Sequence, residues 1–168
     1  MVYFAQNVKE SAMQIQLSTE INSPARTVFL YLTRIEKLIQ WQTFLVEAEA
    51  LSSGVIGVGS KFRNVLRHPG FDDFGVLTLE MIGEVLVYKP EKHLKIQGRS
   101  QIADLMIEYR LAQIDDRTII QQTADFQLQG LLMRSISGLM KGFLTQQFQA
   151  DLMNLKSLVE SEQEASDL

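Results

Sequence analysis

LLMRSISGLMKGFLTQQFQADLMNLKSLVE, residues 131–160, decides how this chain folds. No proline interrupts it. Its apolar positions are Leu132, Ile136, Leu139, Met140 and Phe143, then Leu144, Phe148, Leu152, Leu155 and Val159. Steps of three and four are helical spacing, so the stretch predicts one helix over Leu131–Glu160. At 1.5 Å per residue that helix is about 45 Å long. Full burial of its apolar side chains is worth on the order of 15–30 kcal/mol, an upper bound because unfolded chains already hide some surface. A helix of this length needs an equally long apolar surface beside it.

The stripe turns by about 100° between its two halves, from Leu132, Ile136, Met140 and Phe143 to Leu144, Phe148, Leu152, Leu155 and Val159. Gly138 and Gly142 both fall in the first half, and each costs about 1 kcal/mol against alanine. The first half is therefore expected to be the looser one, through a bend, a close packing contact or a movable lid, and the second half to be pure packing.

The surface for the helix comes from upstream. Met13 to Ile21 alternates apolar and polar residues, the pattern of a half-buried strand. Ser23-Pro24 then opens a helix, with serine as N-cap and proline in the first helical position, and Val28, Phe29 and Leu32 give it an apolar face. A second short helix from Ile35 to Gln40 leads to Trp41, the single tryptophan. Strands follow over Phe44–Leu51, Ser60–Arg67, Gly75–Tyr88, Leu94–Ser100, Ala103–Ile114 and Thr118–Gln129, and Gly130 separates the last from the long helix. The turn at Lys89–Lys92 centres Val87 on Leu94, Val85 on Ile96 and Gly83 on Gly98. The Asp115-Asp116 tip centres Leu111 on Ile120, Tyr109 on Gln122, Ile107 on Ala124 and Leu105 on Phe126. Either register leaves one face apolar or small, as a sheet covered on one side requires.

The fold class is α+β: a curved antiparallel sheet wrapped around the long C-terminal helix, with two short helices between the first and second strands. A strongly twisted sheet gripping one helix tends to leave a cavity, the usual form of a small-molecule site.

Composition narrows the function. At 168 residues the chain has the length of one domain, with residues 1–11 as an extension and 162–168 as a fraying tail. Its net charge of −4, with both signs well mixed, leaves no nucleic-acid footprint. With no cysteine there are no disulfides, thiolate nucleophiles or cysteine metal ligands. No apolar run has the length of a membrane span and Met1–Ala12 lacks a signal pattern, so neither stable membrane insertion nor export is expected and the location is read as cytoplasmic.

His68 and His93 sit at proline turns without a second histidine at metal spacing, so no metal and no cofactor is expected. Lys61, Arg63, Arg67 and Arg99 face Glu80 and Glu84, which reads as cross-strand pairing. Asp72-Asp73 and Asp115-Asp116 are turn residues. Arg134 and Lys141 lie away from the first-half stripe and make a weakly basic amphipathic segment, read as a solvated helix face in preference to a membrane-touching one.

Polar residues on apolar faces carry more information. Asn64, Tyr109 and Gln122 must satisfy one another or hold the polar end of a ligand. A cavity between the first half of the helix and the sheet is expected where Gly83, Gly98 and Ala124 leave room. Around it stand Phe62, Asn64, Ile107, Tyr109, Gln122, Phe126, Leu139, Met140 and Phe143.

The chain resembles the START-like helix-grip (SRPBCC) superfamily, especially its polyketide cyclase/dehydrase and lipid-transport branch. The matching residues are Ile21-Asn22-Ser23-Pro24-Ala25 after the first strand, Val28-Phe29-Leu30-Tyr31-Leu32, Trp41, Gly57-Val58-Gly59, Gly83-Glu84-Val85 before Lys89-Pro90, and Leu155-Lys156-Ser157-Leu158-Val159-Glu160. The resemblance spans roughly residues 12–161. It implies binding or transport of a hydrophobic or aromatic small molecule or lipid. A cyclase or dehydratase in which Tyr109 or a neighbour moves a proton, and a protein-interaction module using the same groove, remain open beside it, as does the oligomeric state.

Overall fold

The computed structural model describes residues 13–67, 78–130 and 137–166. His68, Asp72, Asp73, Leu132, Arg134 and Ile136 lie outside those ranges. Strand β1 (Met13–Ile21) is followed by helices α1 (Ala25–Thr33) and α2 (Ile35–Trp41). Strands β2 (Leu45–Ala50), β3 (Lys61–Arg67), β4 (Thr78–Lys89), β5 (His93–Arg99), β6 (Ala103–Ile114) and β7 (Arg117–Leu128) come next, and helix α3 (Ser137–Ser166) closes the order. The strands form one antiparallel sheet in the order β1-β7-β6-β5-β4-β3-β2. Since β1 and β2 occupy opposite edges, α1 and α2 carry the chain across the end of the sheet.

The last hairpin pairs as its sequence predicts, with Tyr109 opposite Gln122 and Ile107 opposite Ala124. The β4–β5 hairpin differs near its tip. Val85 faces Ile96 and Gly83 faces Gly98, but Val87 meets Lys95 and Tyr88 meets Leu94, because a bulge lies between Val85 and Val87. A second irregularity separates Leu45 from Glu47. Bulges bend a strand and increase its twist, which here helps the sheet to curl around the helix. Gly130 leaves β7 at φ +83°, a conformation that disfavours any residue with a Cβ.

The start of α1 is shifted by one residue from the expected cap. The Pro24 carbonyl accepts the first helical bonds, from the amides of Thr27 at 3.0 Å and Val28 at 3.3 Å. The Ser23 hydroxyl caps nothing, and the amide of Ala25 donates instead to Gln113 Oε1 at 3.0 Å. The helix start is thus fixed by the tip of a distant hairpin, which no local motif records.

Helix α3 runs beyond Glu160 to Ser166, so the described part of the tail, 162–166, continues the helix. Glu162 holds Lys37 at 2.8 Å, and Glu160 accepts the Asn22 amide at 2.8 Å. Its buried stripe in the second half is Leu152, Leu155 and Val159. In the first half Leu139 is 80% exposed, against expectation. Leu139 and Met140 are adjacent and cannot share one helix face; Met140 turns inward and Leu139 outward. Among the described residues no helix is long and apolar enough to cross a membrane.

The core divides in two. One cluster joins Ile21, Val28, Tyr31, Trp41, Val85, Leu94 and Ile120 to Leu152, Leu155 and Val159. The other joins Met13, Ile15, Ala124, Phe126 and Leu128 to the half-buried Met140, Leu144 and Phe148. The helix phase is directly testable: Leu155→Ala is expected to cost about 2–5 kcal/mol in a denaturant melt and Leu139→Ala no more than about 0.5 kcal/mol.

Candidate functional site

The backbone of α3 comes close to β1, α1 and α2 and stands farther from β3–β6. Under it, on the β3–β6 side, lies a cavity of about 470 Å³. That volume falls in the range of small-molecule sites, roughly 300–1,000 Å³. The sheet contributes Phe62, Asn64, Met81, Ile96, Ile107, Tyr109 and Phe126, and α2 with the segment after it contributes Leu38, Trp41 and Phe44. The helix contributes Leu144, Gln147, Phe148 and Asp151. Arg34, Glu36, Gly54 and Lys61 are wall residues at the rim, where the cavity meets solvent.

Of the residues expected here, Phe62, Asn64, Ile107, Tyr109 and Phe126 stand on the wall. Gln122, Leu139, Met140 and Phe143 do not. Gln122 is buried behind Tyr109, where its Nε2 donates to the Tyr109 hydroxyl at 3.4 Å. Leu139 points to solvent. Met140 packs into the second core cluster, and Phe143 stacks on Phe44 with ring centroids 5.8 Å apart. The helix face over the cavity therefore lies further along α3 than the stripe shift suggested, and Phe148, expected to be pure packing, is part of the wall.

The small residues also act differently from expectation. A Cβ on Gly83 would fall on the ring of Phe62, and one on Gly98 would lie 2.5 Å from Met81 Sδ. Gly83 makes room for a neighbouring side chain, whereas Gly98 lies under Met81 and is also on the cavity wall. Ala124 lies in the second cluster, away from the wall.

The polar groups of the cavity meet where α3 passes over β6. Asp151 is only 7% exposed. Its Oδ1 accepts the Thr43 amide at 2.8 Å, the Thr43 hydroxyl at 2.7 Å and Gln147 Nε2 at 3.2 Å. Burial raises the Asp151 carboxyl above the ordinary aspartate value, and the bonds from Thr43 and Gln147 offset only part of this. Burial likewise raises the Tyr109 phenol, and the negative charge of Asp151 adds to it. Asn64 Oδ1, buried on the opposite part of the wall, has no hydrogen-bond partner among the described residues.

Sequence reasoning missed Asp151. The available signal was its position three residues after Phe148 and four before Leu155, an acid on the apolar stripe itself.

Other candidates resolve into pairs. Arg63 binds Glu80 at 2.8 Å and Glu47 at 3.3 Å. His93 is half-buried rather than a free turn residue, with Nε2 2.7 Å from Glu108 Oε1 on the neighbouring strand. Among the described residues no three His, Asp or Glu side chains gather as metal ligands.

The sequence pattern of the polyketide cyclase / dehydrase and lipid transport family matches residues 12–160. The chain belongs to that family. Solved structures of similar fold include TTHA0849 from Thermus thermophilus, at 12% identity and TM-score 0.73, covering 89% of this chain and 98% of that one. The ZhuI aromatase/cyclase from Streptomyces sp. R1128 gives 15% identity and TM-score 0.70, over 89% and 94% of the two chains. Ara h 8.0201 gives 13% identity and TM-score 0.66, over 90% and 99%. At such identities the likeness extends to the fold, the helix-grip architecture described above. No curated protein sequence matches the chain.

Asp151 makes the stability of the site depend on pH. Its carboxyl pKa is higher folded than unfolded, so the folded state keeps the proton to higher pH. Stability is greatest below the unfolded value and is lost as pH rises through the folded one. Asp151→Asn keeps an acceptor for Thr43 and cannot ionise. It is expected to melt above the parent protein at about pH 8, with the gap closing toward about pH 4, as read from Tm at the two values.

Proposed function

We propose that this chain binds a hydrophobic or aromatic small molecule in the cavity between α3 and the sheet. The observation that carries this reading is the division of the core. Large apolar side chains line a space of about 470 Å³ on the β3–β6 side without filling it. Protein interiors ordinarily close such voids, because each missing contact costs dispersion energy. A void kept open at the centre of a domain is accounted for by an occupant. The family description, which couples cyclase/dehydrase chemistry with lipid transport, supports an apolar occupant.

A second reading, a cyclase- or dehydratase-type enzyme, is favoured by Tyr109 and Asp151. Two ionisable groups with raised pKa on one cavity wall are the raw material of general acid–base chemistry. On that reading Tyr109→Phe abolishes turnover of a polyketide-like substrate while leaving probe binding intact. Among the described residues, the interaction-module reading gains nothing from α3. Leu139 and Met153 are exposed, but they stand about 21 Å apart along α3 and form no patch.

Native mass spectrometry of the purified protein is expected to show a co-purified small molecule, and a neutral fluorophore such as N-phenyl-1-naphthylamine is expected to bind with blue-shifted emission. In Gly83→Ala the new methyl must push the Phe62 ring aside. Melting should stay cooperative while probe affinity falls about tenfold or more, since wall contacts are lost on one side of the cavity. Absence of probe binding by the parent protein would overturn the proposal.

A further inference from the structure

We propose that the ligand's buried end carries a hydrogen-bond donor, a hydroxyl, phenol or amine group, and that the carboxylate of Asp151 receives it beside Tyr109. This inference rests on the reading of the cavity as a small-molecule site.

Asp151 is held in one orientation. All of its hydrogen bonds from described residues fall on Oδ1, two from Thr43 and one from Gln147. A carboxylate accepts through both oxygens and donates through neither. With Oδ1 saturated, Oδ2 is the acceptor left for the cavity, on a side chain that lines it. The Tyr109 hydroxyl accepts from Gln122, which leaves its own O–H as a donor on the same cavity, so a ligand hydroxyl can give its proton to the carboxylate and accept from the phenol.

The cations are elsewhere. Arg34 and Lys61 line the same cavity but are exposed at its rim. An anionic head pushed inward would therefore meet a second negative charge in a medium of low dielectric, with no buried cation among the described wall residues to balance it. An ether or ester oxygen would leave Oδ2 without a partner. A donor satisfies the carboxylate and suffers neither penalty. The arrangement thus sorts apolar molecules by the polarity of their leading end: phenols, alcohols and amines enter head-first, and carboxylic acids do not.

The test compares three probes of nearly equal shape, 1-naphthol, 1-methoxynaphthalene and 1-naphthoate, each displacing N-phenyl-1-naphthylamine from the parent protein near neutral pH. The naphthol is expected to bind tenfold to a hundredfold more tightly than the methyl ether, the range for a hydrogen bond to a charged group, with the naphthoate weakest. In Asp151→Asn an amide donor should face the cavity instead; both ligand oxygens can accept from it, so the naphthol's advantage over the ether is expected to fall to about threefold or less. The parent ranking alone is decisive if that variant does not fold. Equal binding of naphthol and ether overturns the donor inference while leaving the cavity a binding site. Tightest binding of the naphthoate also overturns it, and assigns the polar end to Arg34 and Lys61. Failure of all three probes to bind overturns the small-molecule reading itself and the inference with it.

Discussion

Burial of Leu152, Leu155 and Val159 in the cluster of Ile21, Val28, Tyr31 and Trp41 fixes the position of α3, and the remainder of the structure depends on that position. Three fully buried aliphatic side chains are worth about 5–9 kcal/mol, the scale of a whole domain's net stability. Polar contacts then set register and angle along the same half. Lys156 Nζ donates to the Glu20 carbonyl at 2.6 Å, Asn154 Nδ2 to the Trp41 carbonyl at 3.3 Å, and Asp151 holds Thr43. The ion pair of Lys37 with Glu162 is largely exposed on the Glu162 side and contributes about 1 kcal/mol at most. Packing decides where the helix lies, and the hydrogen bonds decide how it is rotated.

The helix, anchored over α1, α2 and β1, stands farther from β3–β6. The N-terminal half rests on a second, less buried cluster through Met140, Leu144 and Phe148. Between the two contacts the sheet is bridged rather than covered. Large wall residues do not close the gap, since their own neighbours are already set: Phe62 lies against Gly83, Met81 against Gly98, and Phe126 meets Phe148 at 5.6 Å between ring centroids. The cavity is a consequence of the anchoring, and the glycines allow its wall to be aromatic and thioether rather than bare backbone.

Much of this was legible in the sequence because sheets announce themselves by alternation. The β6–β7 register followed from a two-residue tip and a strict period of two, which a one-residue slip would have turned inside out. The β4–β5 tip was not legible because its bulge breaks that period within a run where Val85, Leu86, Val87 and Tyr88 are all apolar. Among the wall residues, Tyr109 and Asn64 showed themselves as polar groups on apolar faces. Gln122 gave the same signal yet stands behind the wall, since a strand pattern assigns a face and not a depth. Leu139 failed for a helical reason: in a stretch with Gly138 and Gly142, adjacent apolar residues leave the phase undetermined. Whose side chain covers Gly83 is a matter of tertiary contact, which no local pattern carries.

Asp151 is the costliest polar group that the cavity wall carries. Aspartate on the apolar stripe of a helix costs desolvation that leucine at the same place would not. The bonds from Thr43 and Gln147 return only part of it, because the carboxyl stays shifted upward. A purely structural role could be served by an asparagine, which still accepts from Thr43, through weaker neutral bonds, and never carries a charge. Beyond strengthening the bonds from Thr43 and Gln147, the charge would act on an occupant of the cavity under the proposed function. A bound donor would respond, and so would a proton moved between Asp151 and a substrate; both tie the same residue to an occupant of the cavity, one by affinity and the other by rate.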